Sequence, residues 1–475
     1  MKNLIYCLAL PLILWSCSSN ENRTINEDVA AFVESNENVV MFGSVKVKAI
    51  MDKADYKHID KVGGEIAKEF QLVEKLIDAS KPIYFAIEGA EKITEAGTMY
   101  AFAEVKDKAA LSKEIQKKGY NIKKGNDFDF YASSNVAIGI SKDRFVMVAK
   151  DNLTGGKALI EKALDGLKSD LPDNKVTEIL ALDGDIVLGS DMEAGVNSYE
   201  KIFNLKEDKK EELKDLLAGC YSQTKINFEN GCITADIKNY FSDEMKEWMF
   251  LEPNAMEIVN NLGSGYARGG FAMNLNMAKL QKFMNEFMPN VLNDAAKMGG
   301  GNAQMAMAFA GDKGLANLIT GKMAFLMMGD KVDEYGSYKP EYCFRVGLGD
   351  GLKSLAQGFL SGAKESMAKL EMKGNMLTGC SSAAFLPGKG RLKLPTGCEG
   401  FGKKSISMFF NFNKLDQSVF MFYPQAKSIE KLDYFYMEFD LDGGKMILQA
   451  KDKSQNILKT LVKEVQVNLS NQAPI

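Results

Sequence analysis

The sequence predicts an α+β fold of two similar halves, each a mainly antiparallel sheet with packed helices. Three observations carry this. First, "YFYMEF" (434–439) and "KMILQA" (445–450) alternate with period two, as a half-buried antiparallel strand does. Second, turn signals close two hairpins that each feed a helix. Asn230-Gly231 lies inside "TKINFENGCITADIKNYFSDEMKEWM" (224–249), where it predicts a type I′ turn. Asp442-Gly443-Gly444 lies inside "YFYMEFDLDGGKMILQAKDKSQNILKTLV" (434–462). Hairpins of this kind favour α+β over a doubly wound parallel sheet. Third, the order of units in 38–262 returns in 265–465, at a period far longer than that of solenoid repeats.

The chain begins "MKN", with Lys2 as its only early charge, and continues "LIYCLALPLILWS" from Leu4 to Ser16. A spanning helix needs about twenty apolar residues, so this run reads as a secretory signal, not a membrane span. Its end, Leu14-Trp15-Ser16-Cys17, resembles the bacterial lipoprotein signal, in which the cysteine is acylated and the segment before it removed. Residues 1–16 are therefore expected to be the signal peptide and Cys17 the lipidated residue. Two or more acyl chains, at about 0.8 kcal/mol per buried CH₂, anchor a protein stably.

Residues 17–37, opening with the polar "CSSNENR", are expected to form a flexible tether. A linker of that length would reach roughly 25 Å if disordered. The body is expected to divide into halves at 38–262 and 263–475. In each, a strand runs into a helix in "NVVMFGSVKVKAIMDKA" (38–54), "GDIVLGSDMEAGVNSYEKIF" (184–203), "GGFAMNLNMAKLQKFMNEF" (269–287) and "SISMFFNFNKLDQSVF" (405–420). A second strand–helix unit recurs as "TMYAFAEVKDKAALSKEIQKKG" (98–119) and "EYCFRVGLGDGLKSLAQGFL" (341–360).

"SCSSNE", "NVVMFGSVKVKAIMDKA", "MYAFAEVKDKAALSKEI" and "FDFYASSNVAIGISKDRFVMVA" (128–149) together resemble the large uncharacterised lipoproteins of Bacteroidetes, known only as a domain of unknown function. The resemblance implies a lipid-anchored envelope protein and no site residue beyond Cys17.

Chemistry-bearing motifs are scarce. The only histidine is His58, with no serine or cysteine partner near it in sequence and no H-E-x-x-H. "GCEGFGKKS" (397–405) nearly matches a phosphate loop, but Lys404 stands where Ser or Thr would bind Mg²⁺, and "SISMFFNF" reads as a strand where a helix is required. "GSGYARGG" (263–270) lacks the flanking strand and helix of a dinucleotide loop and reads as boundary glycine. Ser222-x-x-Lys225 and Ser361-x-x-Lys364 have a Ser/Lys hydrolase spacing without its companion motifs. Carboxylates abound, and no pair stands out as glycosidase machinery.

Cys220, Cys232, Cys343, Cys380 and Cys398 are an odd set at long spacings. A Cys380–Cys398 bridge would close a short loop; free buried thiols are the expectation. Methionine reaches 26 residues. Met277, Met284 and Met288 share a helical face with Leu280 and Val291, and Met305, Met307, Met323, Met327 and Met328 follow. Thioethers can hold Cu(I) or conform to varied partners, but such a stripe reads first as a core face.

Lys and Arg total 59 against 63 Asp and Glu, with no basic block, which argues against a nucleic-acid partner. The resulting expectation is a lipid-anchored protein of the cell envelope, at the outer membrane, acting as a non-enzymatic binding or assembly module. No catalytic residue, cofactor or metal is assigned. Its partners are the membrane, through the lipid, and an envelope protein or glycan. The alternative is an envelope hydrolase using paired carboxylates on polysaccharide. An enzyme should show converging acids in a concave site; a binding module should show a flat or apolar exposed patch.

Overall fold

The computed structural model describes residues 23–58, 74, 77–90, 97–117, 119–171, 175–196, 205, 207–288, 314–332, 338–362, 369–414 and 429–463. Cys17 and residues 1–22 lie outside them, as do Val291, Met305, Met307, Lys364 and the side chains of His58 and Ser361.

The first described element corrects the expected tether. Ile25–Glu34 is an α-helix, and Ile25, Val29, Ala30, Phe32 and Val33 are buried. Their spacing is that of one helical face, which the polar residues before it masked. The Glu27 carboxylate closes the first turn, accepting from the Thr24 backbone N–H at 2.8 Å and its hydroxyl at 2.6 Å. The Phe32 ring lies 5.0 Å from Tyr100 and 5.1 Å from Phe102, centroid to centroid. Arg23 is already fixed: its guanidinium donates to the Ser169 carbonyl at 2.7 Å, and Arg144 donates to its carbonyl at 3.3 Å. Residues 23–37 belong to the body.

The strands are, in order, β1 (Val39–Val45), β2 (Ile83–Glu88), β3 (Met99–Glu104), β4 (Asp129–Ala132), β5 (Val136–Ile140), β6 (Arg144–Ala149), β7 (Ile186–Asp191), β8 (Tyr221–Glu229) and β9 (Cys232–Tyr240). Then come β10 (Gly265–Tyr266), β11 (Gly269–Asn274), β12 (Ile319–Val332), β13 (Tyr338–Leu348), β14 (Lys369–Lys373), β15 (Met376–Cys380), β16 (Leu392–Lys393), β17 (Ile406–Asn411), β18 (Leu432–Asp440) and β19 (Gly443–Ala450). All but β10 and β16 join one 17-stranded sheet. Its described pairings are all antiparallel, as the hairpin signals predict. Through these pairings the strands run β4-β5-β6-β3-β2-β1-β7-β8-β9, and then, across the β9–β19 pair, β19-β18-β17-β11-β12-β13-β15-β14.

Four of the six expected strand-to-helix units form, while the helical parts of 184–203 and 405–420 run into residues outside those described. β1 leads into Val47–Lys53, β3 into Lys108–Lys117, β11 into Met277–Phe287 and β13 into Asp350–Gly362. Both predicted hairpins close, β8–β9 at Asn230-Gly231 and β18–β19 at Leu441-Asp442, where Gly443 and Gly444, expected in the turn, instead open β19. The first turn is not type I′. Gly231 has φ +73°, but Asn230 is not among the positive-φ residues, and type I′ needs both. The Gly231 amide donates to the Gln455 carbonyl, so contacts with the chain after β19 set this turn.

Two hydrophobic cores lie on the same face of the sheet. One packs Ile25–Glu34, Gly156–Gly166 and Lys175–Leu180 over Phe42, Ala86, Tyr100, Phe102 and Val187. The other gathers Ile258, Leu262, Ala272, Leu326, Phe401, Phe409 and Tyr436. A smaller cluster places Lys108–Lys117 over Ile138 and Ile140, on the opposite face at one end. A fourth takes the far end of the methionine-bearing helix: Phe287 is buried there, with Phe283, Met288 and Trp248 packed against the cluster, while Met277 is buried at the helix start.

Cys343 and Cys380 stand opposite each other on β13 and β15 and form a disulfide, with Cα atoms 4.2 Å apart. This corrects the expectation of free thiols at these positions and excludes a Cys380–Cys398 bridge. Cys398 is a free buried thiol, as is Cys220; Cys232 is half-buried. The sequence spacing hid the pair because 37 residues separate partners that the β13–β15 register makes neighbours.

Candidate functional site

Residues directly paired across antiparallel strands point to the same face. The cores fix which face is covered: Phe42, Val187, Ala272, Leu326 and Phe409 point toward the helices. Their sequence neighbours therefore point to the other side. Reading across β18, β17, β11, β12 and β13, one row of that side is Phe435, Phe410, Gly269, Met327 and Tyr342. The next is Met437, Met408, Phe271, Phe325 and Phe344, and the third is Phe439, Ile406, Met273, Met323 and Val346.

The third row continues beyond β18 through Gly444, Ile237, Thr224, Leu188, Gly43, Phe85, Ala101 and Met147. No charged side chain interrupts it. A parallel row holds Asn239, Ser222, Ser190, Met41, Ile87 and Met99. Its polar members are satisfied within the chain: Ser222 donates to Asn239, Asn239 to the Leu441 carbonyl, and Ser190 to the Val40 carbonyl.

Outside the end that Lys108–Lys117 covers, where Met147 lies, this side is open to solvent. Phe325 is 43 % exposed, Met41 38 %, Met408 37 % and Met99 36 %. Five strands at about 4.8 Å spacing and three alternate residues along each make roughly 500 Å² in the second set of strands alone. Monomeric proteins rarely leave more than a few hundred Å² of continuous apolar surface uncovered. Between the two cores, in contrast, the helix-bearing side is polar: Lys445 pairs with Glu438 at 3.2 Å, and Lys225 lies 4.0 Å from Asp236.

A second feature is an acidic cleft of about 180 Å³ lined by Glu34, Glu37, Asp191, Glu193, Lys214 and Tyr221. Asp191 ends β7, and its carboxylate accepts from the Ala194 backbone N–H at 3.2 Å. Burial pushes the Asp191 carboxyl above the ordinary carboxylate range. Burial also raises Glu193, and the Asp191 charge adds to that shift. The Tyr221 phenol is raised by burial and by Asp191. Among the described residues, no group of three or more His, Cys, Asp or Glu side chains is arranged to hold a metal ion.

The other sequence candidates fall apart spatially. Ser222 and Lys225 lie on β8 three positions apart, hence on opposite faces of the sheet. The 397–405 stretch is a glycine-rich turn before β17, as the sequence predicts, with Cys398 and Phe401 buried in a core. Gly397 and Gly402 have φ of +89° and +88° there. "GSGYARGG" is not a free linker: Gly265 and Tyr266 pair with Leu392 and Lys393, and Gly269 and Gly270 open β11. Met323 and Met327 belong to the open face, whereas Met328 is buried. The open face itself was missed as a site. Its signal is the alternation in "YFYMEF", which marks a half-buried strand without saying which of its sides is covered.

No protein-family model matches the chain, and no curated protein matches it. A solved structure described as "Structure of crystal form I of TP0453" aligns over 74% of this chain and 90% of its own, at 11% identity and a TM-score of 0.22. A likeness at that score carries no argument about fold or function. No described helix is long and apolar enough to cross a membrane.

Proposed function

We propose that this chain is a lipid-anchored protein of the cell envelope, at the outer membrane, that works by binding through its open sheet face. The observation that carries the binding reading is the uncharged run of Met, Phe, Ile and Leu across that face, with Phe325, Met41, Met408 and Met99 exposed. The envelope reading rests on Leu14-Trp15-Ser16-Cys17 and on the resemblance to Bacteroidetes lipoproteins. The Cys343–Cys380 disulfide supports it, because such bonds persist in oxidising compartments. Cys17 carries the lipid in this reading. Cys17→Ala should move the protein from the membrane fraction to the soluble fraction; unchanged fractionation would remove the anchor. Crosslinked pull-down from intact cells, with the native chain and with Met408→Lys, tests the face: the partner should be captured by the first only.

The body is, in this reading, two copies of one unit. Its support is pairing order. β1 pairs with β2 and β7, β2 with β3, β3 with β6, and β6 with β5. β11 likewise pairs with β12 and β17, β12 with β13, β13 with β15, and β15 with β14. The β8–β9 and β18–β19 hairpins occupy matching places and meet each other through β9 and β19.

The acidic cleft favours a second reading, an envelope hydrolase acting on polysaccharide with Asp191 and Glu193 as its carboxylates. Its cavity is smaller than the roughly 300–1,000 Å³ of ordinary ligand sites. Turnover of envelope glycans by the native chain, abolished in Asp191→Asn and Glu193→Gln, would install it.

A further inference from the structure

We propose that the occupant of the open sheet face is the acyl chains of membrane phospholipid; this rests on the binding reading above and names the ligand class. The first reason is hydrogen bonding. A protein interface carries about one hydrogen bond per 100–200 Å², and a glycan needs more. Over β17, β11 and β12 the open face presents Met, Phe, Ile and Gly, whose side chains offer none, and the backbone groups are used in the ladders. An ordinary protein surface or sugar laid there would lose its water contacts without replacement. An alkyl chain has no polar group to satisfy.

The second reason separates lipid from another copy of the same face, which would also be free of polar groups. Met408, Met273, Met323, Met327 and Met437 lie among the phenylalanines of all three rows. Unbranched thioether side chains adapt to irregular, mobile ligands and specify a unique packing register poorly. They suit fluid acyl chains better than a single self-complementary dimer.

The third reason is reach. The body is fixed from Arg23 onward, and Arg144 donates to the Arg23 carbonyl. The next residue along β6 is Phe145, which with Ala103 packs under the Lys108–Lys117 helix at the covered end of that side. Six residues separate Cys17 from Arg23, a span of about 20 Å at full extension. A lipid at Cys17 therefore holds the body beside the bilayer, where phospholipid is the apolar ligand at hand.

The test uses full-length Cys17→Ala protein and phosphatidylethanolamine with a fluorophore at one acyl terminus. Because the probe is supplied in solution, the result does not depend on the anchor. Uptake should raise the fluorescence, unlabelled phosphatidylethanolamine should compete, and Met408→Lys and, separately, Met41→Lys should each weaken uptake about tenfold. Glu371→Lys, at a strand position on the other face, should leave it unchanged. Circular dichroism confirms that each variant is folded, and the unlabelled-lipid competition on unsubstituted face residues stands even if one is not. Absence of uptake overturns the proposal, as does uptake that no open-face substitution weakens. A stable dimer in sedimentation that Met408→Lys dissociates, without lipid uptake, overturns it in favour of a second copy. If uptake fails while native protein still fractionates with membranes through Cys17, the ligand class falls and the anchor reading survives.

Discussion

Phe325 on β12 stands directly opposite Phe271 on β11, and both point away from the two helix-covered cores. Phe271 is also paired with Met408 on β17, and Phe325 with Phe344 on β13. A solvated sheet face ordinarily alternates to polar residues. Here the alternation runs the other way near the middle of the sheet, where Glu438 and Lys445 pair on the helix-bearing side and Met437 and Met446 pair on the open one.

The helix before β1 is part of the core, so its aromatic residue should matter as a core residue does. Phe32 is fully buried between Tyr100 and Phe102. Phe32→Ala should cost about 3–5 kcal/mol, read from chemical denaturation. A loss near zero would return residues 24–37 to the status of a tether.

The disulfide ties β13 to β15 in the second core. Replacing Cys343 and Cys380 together with Ser should lower stability by about 2–4 kcal/mol, and reductant should have the same effect on the native chain. A native chain indifferent to reductant would mean that the bond does not form.

Asp191 gives a pH dependence whose sign follows from its burial. Its folded pKa lies above the unfolded value, so the folded state binds the proton more tightly. The resulting stability is fully present below the unfolded pKa and is lost as pH rises through the folded one. Asp191→Asn should therefore raise Tm at pH 7, with the difference from native shrinking on acidification toward pH 4. A variant less stable at pH 7 would show that the charged carboxylate holds the cleft together.

The sheet, the hairpins and the strand-to-helix units were legible because each has a local signal. Asn230-Gly231 marks a turn wherever it lies, and "NVVMFGSV" reads as a strand without its neighbours. The side of each strand that would be covered was not local information. "YFYMEF" alternates either way; only the pairing of β18 with β17, and the burial of Phe409 beside Tyr436, place Phe435, Met437 and Phe439 outside. The Cys343–Cys380 bond depends on register in the same way. The Ile25–Glu34 helix had a local signal, the spacing of Ile25, Val29, Phe32 and Val33, outweighed by the polar run before it. Asp191 and Glu193 could not be picked out among 63 acidic residues, since their cleft is made by the end of β7, the Ile25–Glu34 helix and Lys214.

The claim that the open face is a free apolar surface is tested most directly by methionine oxidation. Full-length Cys17→Ala protein is treated with dilute hydrogen peroxide and followed by peptide mass spectrometry. Met41, Met99 and Met408 should convert to sulfoxide well before the buried Met245, Met328 and Met376, and added phosphatidylethanolamine vesicles should slow the first group alone. Oxidation of Met41, Met99 and Met408 no faster than that of the buried set would place the face inside a core and contradict the account.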